Sequence, residues 1–72
     1  MYRKIGKITS INEIPYGQNI IISGTIGNGW FLRVPGRFEK RNNKLVYIDV
    51  HGCMVEHDMN SYINLSILEK VY

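Results

Sequence analysis

The stretch from Asp49 to Asp58 gathers the side chains best suited to chemistry: Asp49, His51, Cys53, Glu56, His57 and Asp58. Carboxylate, imidazole and thiolate are the donors that bind zinc, and a structural zinc site needs four of them converging on one point. Cys53 and His57 also suggest a nucleophile and its base, which would require a partly exposed, electropositive pocket. A third candidate is Gly24-Thr25-Ile26-Gly27-Asn28-Gly29, glycine-rich as phosphate-binding loops are. Each reading stands or falls with the element that carries the residues.

Alternation of polarity makes that element a β-strand in each case. His51-Gly52 suits a two-residue hairpin turn, setting Val50 opposite Cys53, Ile48 opposite Val55 and Val46 opposite His57. One face then holds Val46, Ile48, Val50, Cys53 and Val55, and the other Tyr47, Asp49, Met54 and Glu56. The donors diverge: Cys53 and His57 point inward, Asp49 and Glu56 outward, and His51 sits at the tip. No metal site, no cofactor and no catalytic activity is therefore expected. The glycine-rich segment lies between two strands and lacks a Lys-Ser/Thr ending, so it reads as a hairpin turn.

Two further turns set the remaining registers. Gly27-Asn28-Gly29 as a three-residue loop pairs Ile26 with Trp30, Gly24 with Leu32 and Ile22 with Val34. Arg41-Asn42-Asn43 as a three-residue loop pairs Phe38 with Val46 and Gly36 with Ile48. An even loop there would place Glu39 and Arg37 opposite the apolar Val46 and Ile48. The apolar faces then merge into one core of Ile20, Ile22, Ile26, Trp30, Leu32, Val34, Phe38, Val46, Ile48, Val50 and Val55. This is a four-stranded antiparallel meander, with Pro35-Gly36 as a bend or bulge in its long second strand.

Tyr2 to Ile11 reads as a further strand with a bulge at Gly6, and Asn12 to Asn19 as the longest loop. The tail from Tyr62 to Tyr72 fits a closing strand, which would cover a sheet edge, better than a short helix. The chain is thus expected to be all-β, a single small domain over residues 1–72, its meander closing into an SH3-like or OB-like barrel.

Composition agrees with strands and bounds the setting. There are 11 Ile and 5 Tyr against 4 Leu and no Ala, a choice suited to pleated, half-buried surfaces and poor for helices. With 72 residues and one cysteine, no intrachain disulfide supports the small core. The opening Met1-Tyr2-Arg3-Lys4-Ile5-Gly6-Lys7 lacks the apolar run of a signal peptide, and no run is long enough to span a membrane, so a cytoplasmic protein is the expectation. Codons for Ile, Asn, Lys and Tyr are AT-rich, which suits a phage or mobile element.

The net charge is +3, from nine Lys and Arg against six Asp and Glu, so the placement of charge must decide between partners. The meander exposes Phe31, Arg33, Arg37, Tyr47 and Met54, residue types enriched in interface cores. Glu39, Asp49 and Glu56 on the same face make it poor for a phosphate backbone. A non-catalytic module docking on a protein through those five residues, such as a phage inhibitor of a host factor, is the first expectation. The alternative is a small nucleic-acid-binding barrel using Arg3, Lys4, Lys7, Lys40, Arg41 and Lys44. A self-associating nucleotide or metabolite binder is the third.

Overall fold

The computed structural model describes residues 1–72. Six strands form one antiparallel sheet: β1 (Tyr2–Ile8), β2 (Ile20–Ile26), β3 (Gly29–Arg41), β4 (Lys44–Asp49), β5 (Met54–Asp58) and β6 (Ile63–Lys70). Their spatial order is β1-β6-β2-β3-β4-β5. Strands β2 to β5 are the expected meander, and the tail is a strand rather than a helix. It covers the β2 edge of the meander and is itself covered by β1, pairing with both. The sheet remains open, because β1 and β5 each have a single hydrogen-bonded neighbour. The expected closure into an SH3-like or OB-like barrel is therefore absent from the strand pairing.

The sheet nonetheless curls. One cluster unites Ile8 of β1 with Ile22 and Ile26 of β2, Phe38 of β3, Leu45 and Tyr47 of β4, and Ile63 and Leu65 of β6. Strands β1 and β4 lie four steps apart, about 19 Å in a flat sheet at the usual strand spacing, so only a curved sheet can bring Ile8 and Leu45 into one core. The loop after β1 begins with a 3-10 turn, Ile11–Glu13, and folds over this core. It contributes Ile14 to the cluster, packs Ile11 and Tyr16 against it, and donates the Gly17 amide to the Phe38 carbonyl at 2.9 Å.

Each of the three turns differs by one residue from its expected length. The β4–β5 connection has three residues rather than two, pairing Ile48 with Met54 and Tyr47 with Val55. Asp49 starts the turn: its carboxylate accepts the amides of His51 (2.9 Å) and Cys53 (3.0 Å), and its carbonyl accepts the Gly52 amide at 3.0 Å. Gly52 takes the left-handed conformation, φ +86°, that closes such a loop. The slip turns Cys53, Val50 and Val55 to solvent, so the apolar face expected there is not formed.

The β3–β4 turn has two residues, Asn42 and Asn43, with φ of +50° and +61°. Both values suit the type I′ geometry that fits the twist of a hairpin, and asparagine tolerates it. The result is the register that the sequence reading rejected: Arg37 pairs with Ile48, Glu39 with Val46, and Phe38 with Tyr47. Strand β4 is buried on both faces. Leu45 and Tyr47 enter the main cluster, while Val46 and Ile48 lie on the opposite face, 1 % and 6 % exposed, beside the stems of Arg37 and Glu39. A strand buried on both sides does not alternate in polarity, so parity carried no information there.

The β2–β3 turn also has two residues, pairing Ile26 with Gly29 and Thr25 with Trp30, while Ile22 still pairs with Val34 as expected. A bulge reconciles the two ends. Leu32 and Arg33 together oppose Ser23, whose hydroxyl accepts the Arg33 amide at 2.8 Å, and Arg33 sits at φ +52°. The bulge lies there and not at Pro35-Gly36. It turns Phe31 toward the core and leaves Trp30 and Leu32 exposed at 68 % and 61 %, against the core roles expected of them. Gly36 has a different task. A Cβ there would run into the Ile48 carbonyl and stand 2.9 Å from the Tyr47 ring, so only glycine lets that ring pack this close to β3.

Candidate functional site

The five residues expected to form a protein-docking surface do not share one. Tyr47 is 1 % exposed. Its hydroxyl donates to the Val34 carbonyl at 2.8 Å, with the Ile20 carbonyl at 3.3 Å, and burial, then the Asp49 charge, pushes the phenol well above its ordinary range. Phe31 is half-buried, edge-on to Tyr47 with ring centroids 5.5 Å apart. Arg37 and Met54 are accessible on the hairpin face opposite Tyr47, and Arg33 projects from the bulge. The expected surface is thus split between the core and two separate outer regions.

The six basic residues of the alternative reading are also divided. Arg3 is ion-paired to Glu69, and Lys44 to Asp58. Arg41 shares Glu39 with Arg37, at 2.9 and 2.7 Å, and its Nη1 meets the Met54 sulfur at 3.4 Å. These bonds hold the Glu39 and Asp58 carboxyls below their ordinary range and the Lys44 ammonium above its own. Lys40 lies over the Tyr16 ring, 4.7 Å from its centroid. The hairpin of β3 and β4 thus neutralises its own charge. Only Lys4 and Lys7 remain free of carboxylates and rings.

Register shows what surrounds them. Residues paired across neighbouring strands share a face, and three rows cross the outside of the sheet. Lys7, Ser66 and Ser23 form one; Lys4, Leu68, Ile21 and Pro35 the next; Asn64, Thr25 and Trp30 a third. Tyr2 pairs with Lys70 at the end of the same face. Arg33 enters it from the bulge, its guanidinium 5.1 Å from the Tyr2 ring centroid. Lys4, Lys7, Lys70 and Arg33 therefore share this part of the outer face with the aromatic rings of Tyr2 and Trp30, and the one carboxylate bordering it, Glu69, is ion-paired to Arg3. Lys70 and Trp30 were missed by sequence reasoning, Lys70 because its strand was ambiguous and Trp30 because one residue of turn length moved it from outside to core.

The charge count follows the same division. Strands β1, β2 and β6 with their flanking termini and residues 27–34 carry five cations (Arg3, Lys4, Lys7, Arg33 and Lys70) and one carboxylate, Glu69. Residues 35–62 carry four of each sign, Arg37, Lys40, Arg41 and Lys44 against Glu39, Asp49, Glu56 and Asp58. Glu13 in the loop, hydrogen-bonded by Thr9 and held below its ordinary range, completes the net +3.

Two depressions accompany these regions. A groove of about 370 Å³ on the outer face is lined by Ile5, Ile21, Pro35, Val50 and Leu68, with Asn19, Glu69 and Lys70 as its polar side chains. At the tip of the hairpin half lies a wholly polar recess of about 430 Å³, where Lys44, Glu56, His57, Asp58 and Ser61 face the Gly27-Asn28 turn. His57 Nε2 is buried there without a hydrogen-bond partner, and burial lowers the imidazole's affinity for a proton. The potential ligands between Asp49 and Asp58 do not gather into a group of three. No helix is long and apolar enough to cross a membrane. No protein-family model, curated protein or solved structure matches this chain.

Proposed function

We propose that this protein is a non-catalytic nucleic-acid-binding module that uses the outer face of β1, β6, β2 and the first part of β3. The observation that carries the reading is the segregation of charge: Lys4, Lys7, Lys70 and Arg33 share a face whose one bordering carboxylate, Glu69, is taken up by Arg3. A phosphate backbone rewards each neutralised charge through release of counterions, and it penalises every carboxylate brought alongside. Tyr2 and Trp30 supply flat apolar surfaces on which bases stack, and Ser23, Thr25, Asn64 and Ser66 supply small hydrogen-bonding groups between them. The curled, open sheet offers a broad strand face, the kind of surface on which nucleic-acid strands are bound.

Salt dependence tests it. With three or four phosphates engaged, the logarithm of the association constant for a labelled oligonucleotide is expected to fall against log salt with a slope of about −2 to −3. Binding that is absent at low salt, or that ignores salt, overturns the reading. A protein partner is the second reading, favoured by the exposure of Trp30 and Leu32 side by side at one end of the face. It predicts association that survives moderate salt and is lost on Trp30→Ala.

A further inference from the structure

The apolar groove sits inside the cationic face rather than apart from it. Leu68, Ile21 and Pro35 form its floor in the row that begins with Lys4, and Lys70 lines its end. Ile5 is one wall, and its position there is built by the chain: between Lys4 and Gly6 the register with β6 shifts, and the extra residue is Ile5. Strict alternation after Lys4 would send Ile5 inward. The bulge turns it out instead, where it stays 56 % exposed. Val50, held by its amide to the Pro35 carbonyl at 3.2 Å, is the opposite wall and is 64 % exposed. Two aliphatic side chains are thus held in water across a slot with Lys4 beside its floor and Lys70 and the Arg3-paired Glu69 in its lining.

We propose that this groove seats one unpaired base of a single-stranded nucleic acid, with the phosphates on either side of that base held by Lys4 and Lys70. The inference rests on the reading of the outer face as a nucleic-acid surface and adds which form is bound. A duplex keeps its bases stacked and paired inside, and reading it requires an element that enters a groove about 12 Å wide. The slot lies within a broad face crossed by β1, β6, β2 and β3 and not on a projecting helix or β-ribbon, whereas a splayed single strand can lower a base into it while its backbone stays on the lysines. The slot's volume falls at the small end of the range for ligand sites, about 300–1,000 Å³. Asn19 at the rim offers both a donor and an acceptor to a base edge, and the nearby Glu69 is occupied by Arg3.

Fluorescence anisotropy with three probes decides the matter: a labelled thymidine oligomer of about a dozen nucleotides, the same backbone with every base removed, and a duplex of equal length. The intact strand is expected to bind about tenfold or more tighter than the abasic one, as stacking of a base contributes about 1–3 kcal/mol. Ile5→Ser and Val50→Ser should shrink that ratio toward unity without changing the salt slope or the melting temperature. A uridine oligomer run beside the thymidine one separates RNA from DNA as the source of the strand. If intact, abasic and duplex probes bind alike with a normal salt slope, the base seat is wrong and the cationic face stands. If none binds in a salt-dependent way, the face itself is wrong.

Discussion

The two halves of this sheet start from nearly the same number of cations and treat them in opposite ways. In the hairpin half, β4, β5 and the end of β3, every carboxylate of Glu39 and Asp58 is spent on Arg37, Arg41 or Lys44, and the sum is zero. In the other half, β1, β6, β2 and the start of β3, a single carboxylate, Glu69, borders the outer-face groove and is ion-paired to Arg3. The remaining cations share a surface with nothing to neutralise them. Burial does not divide the halves in this way: Ile8, Ile22, Ile26, Ile63 and Leu65 of one join Phe38, Leu45 and Tyr47 of the other in a single core, and each leaves apolar side chains in water, Ile5, Trp30 and Leu32 in one and Val50, Met54 and Val55 in the other. What separates them is how their charges are paired, which net charge alone does not reveal.

Substitutions in the core and on the outer face should fail in different assays. The largest effect is expected from Tyr47→Ala, which empties the space of a buried ring and should destabilise the fold by about 3–5 kcal/mol, enough to leave a chain of this size largely unfolded in a thermal melt. Gly36→Ala should cost about 1–3 kcal/mol or more, since its new methyl meets the backbone of β4 and must push the strands apart. Trp30→Ala, at a mostly exposed position, should move stability by less than about 0.5 kcal/mol and yet weaken oligonucleotide binding by about 1–3 kcal/mol. A Trp30→Ala protein that melts early, or that binds as before, would erase the division between core and outer face.

A smaller effect sharpens it by pH. His57 packs edge-on to Phe31, with ring centroids 6.3 Å apart, and its Nε2 is buried without a partner. The groups around it are Glu56, Asp58 and Lys44 of the polar recess. Burial lowers the proton affinity of the folded-state imidazole, so the unfolded chain binds the proton more tightly. Stability contributed by the neutral ring is present above the unfolded value, about 6.5, and is lost as pH falls below it. Chemical denaturation followed from neutral to mildly acidic pH should show that decline, and His57→Phe should remove it. Glu39, Asp58 and Glu13, all held low, add a second loss only at more acidic pH. The smallest effect should come from Lys44→Ala, because an exposed ion pair is screened by solvent and contributes little.

The all-β class, the meander, the strand at the tail and the bulge near Gly6 were legible in the sequence because each rests on local signals: β-branched and aromatic composition, glycine and asparagine at turns, alternation between them. The faces were not, because a face depends on turn length to the residue. Asp49-Val50-His51-Gly52 did carry a readable cue, Asp at the first and Gly at the fourth position of a type I turn, which would have corrected β5. Two others had none. The rejected register of β3 on β4 is stable only because Arg37 and Glu39 lie over Val46 and Ile48 while bonding to each other at 2.7 Å, an arrangement that looks like a polar clash on paper. The bulge at Leu32-Arg33 follows from the Ser23 hydroxyl, a contact across strands. Lys4 and Lys7 were identified as a basic cluster, but their companions proved to be Lys70 and Arg33, brought alongside by the insertion of β6 and by the bulge, and not the hairpin tip.

The division of charge is tested most directly by two triple variants that remove the same net charge from different places: Lys4, Lys7 and Lys70 to Gln on the outer face, and Lys40, Arg41 and Lys44 to Gln at the hairpin tip. The salt dependence of single-stranded oligonucleotide binding is then measured for both. At about 0.7 units of slope per lost phosphate contact, the outer-face variant should flatten the slope by about 2 units and the hairpin variant should leave it unchanged. Equal flattening in both variants, or flattening only in the hairpin one, would contradict the account.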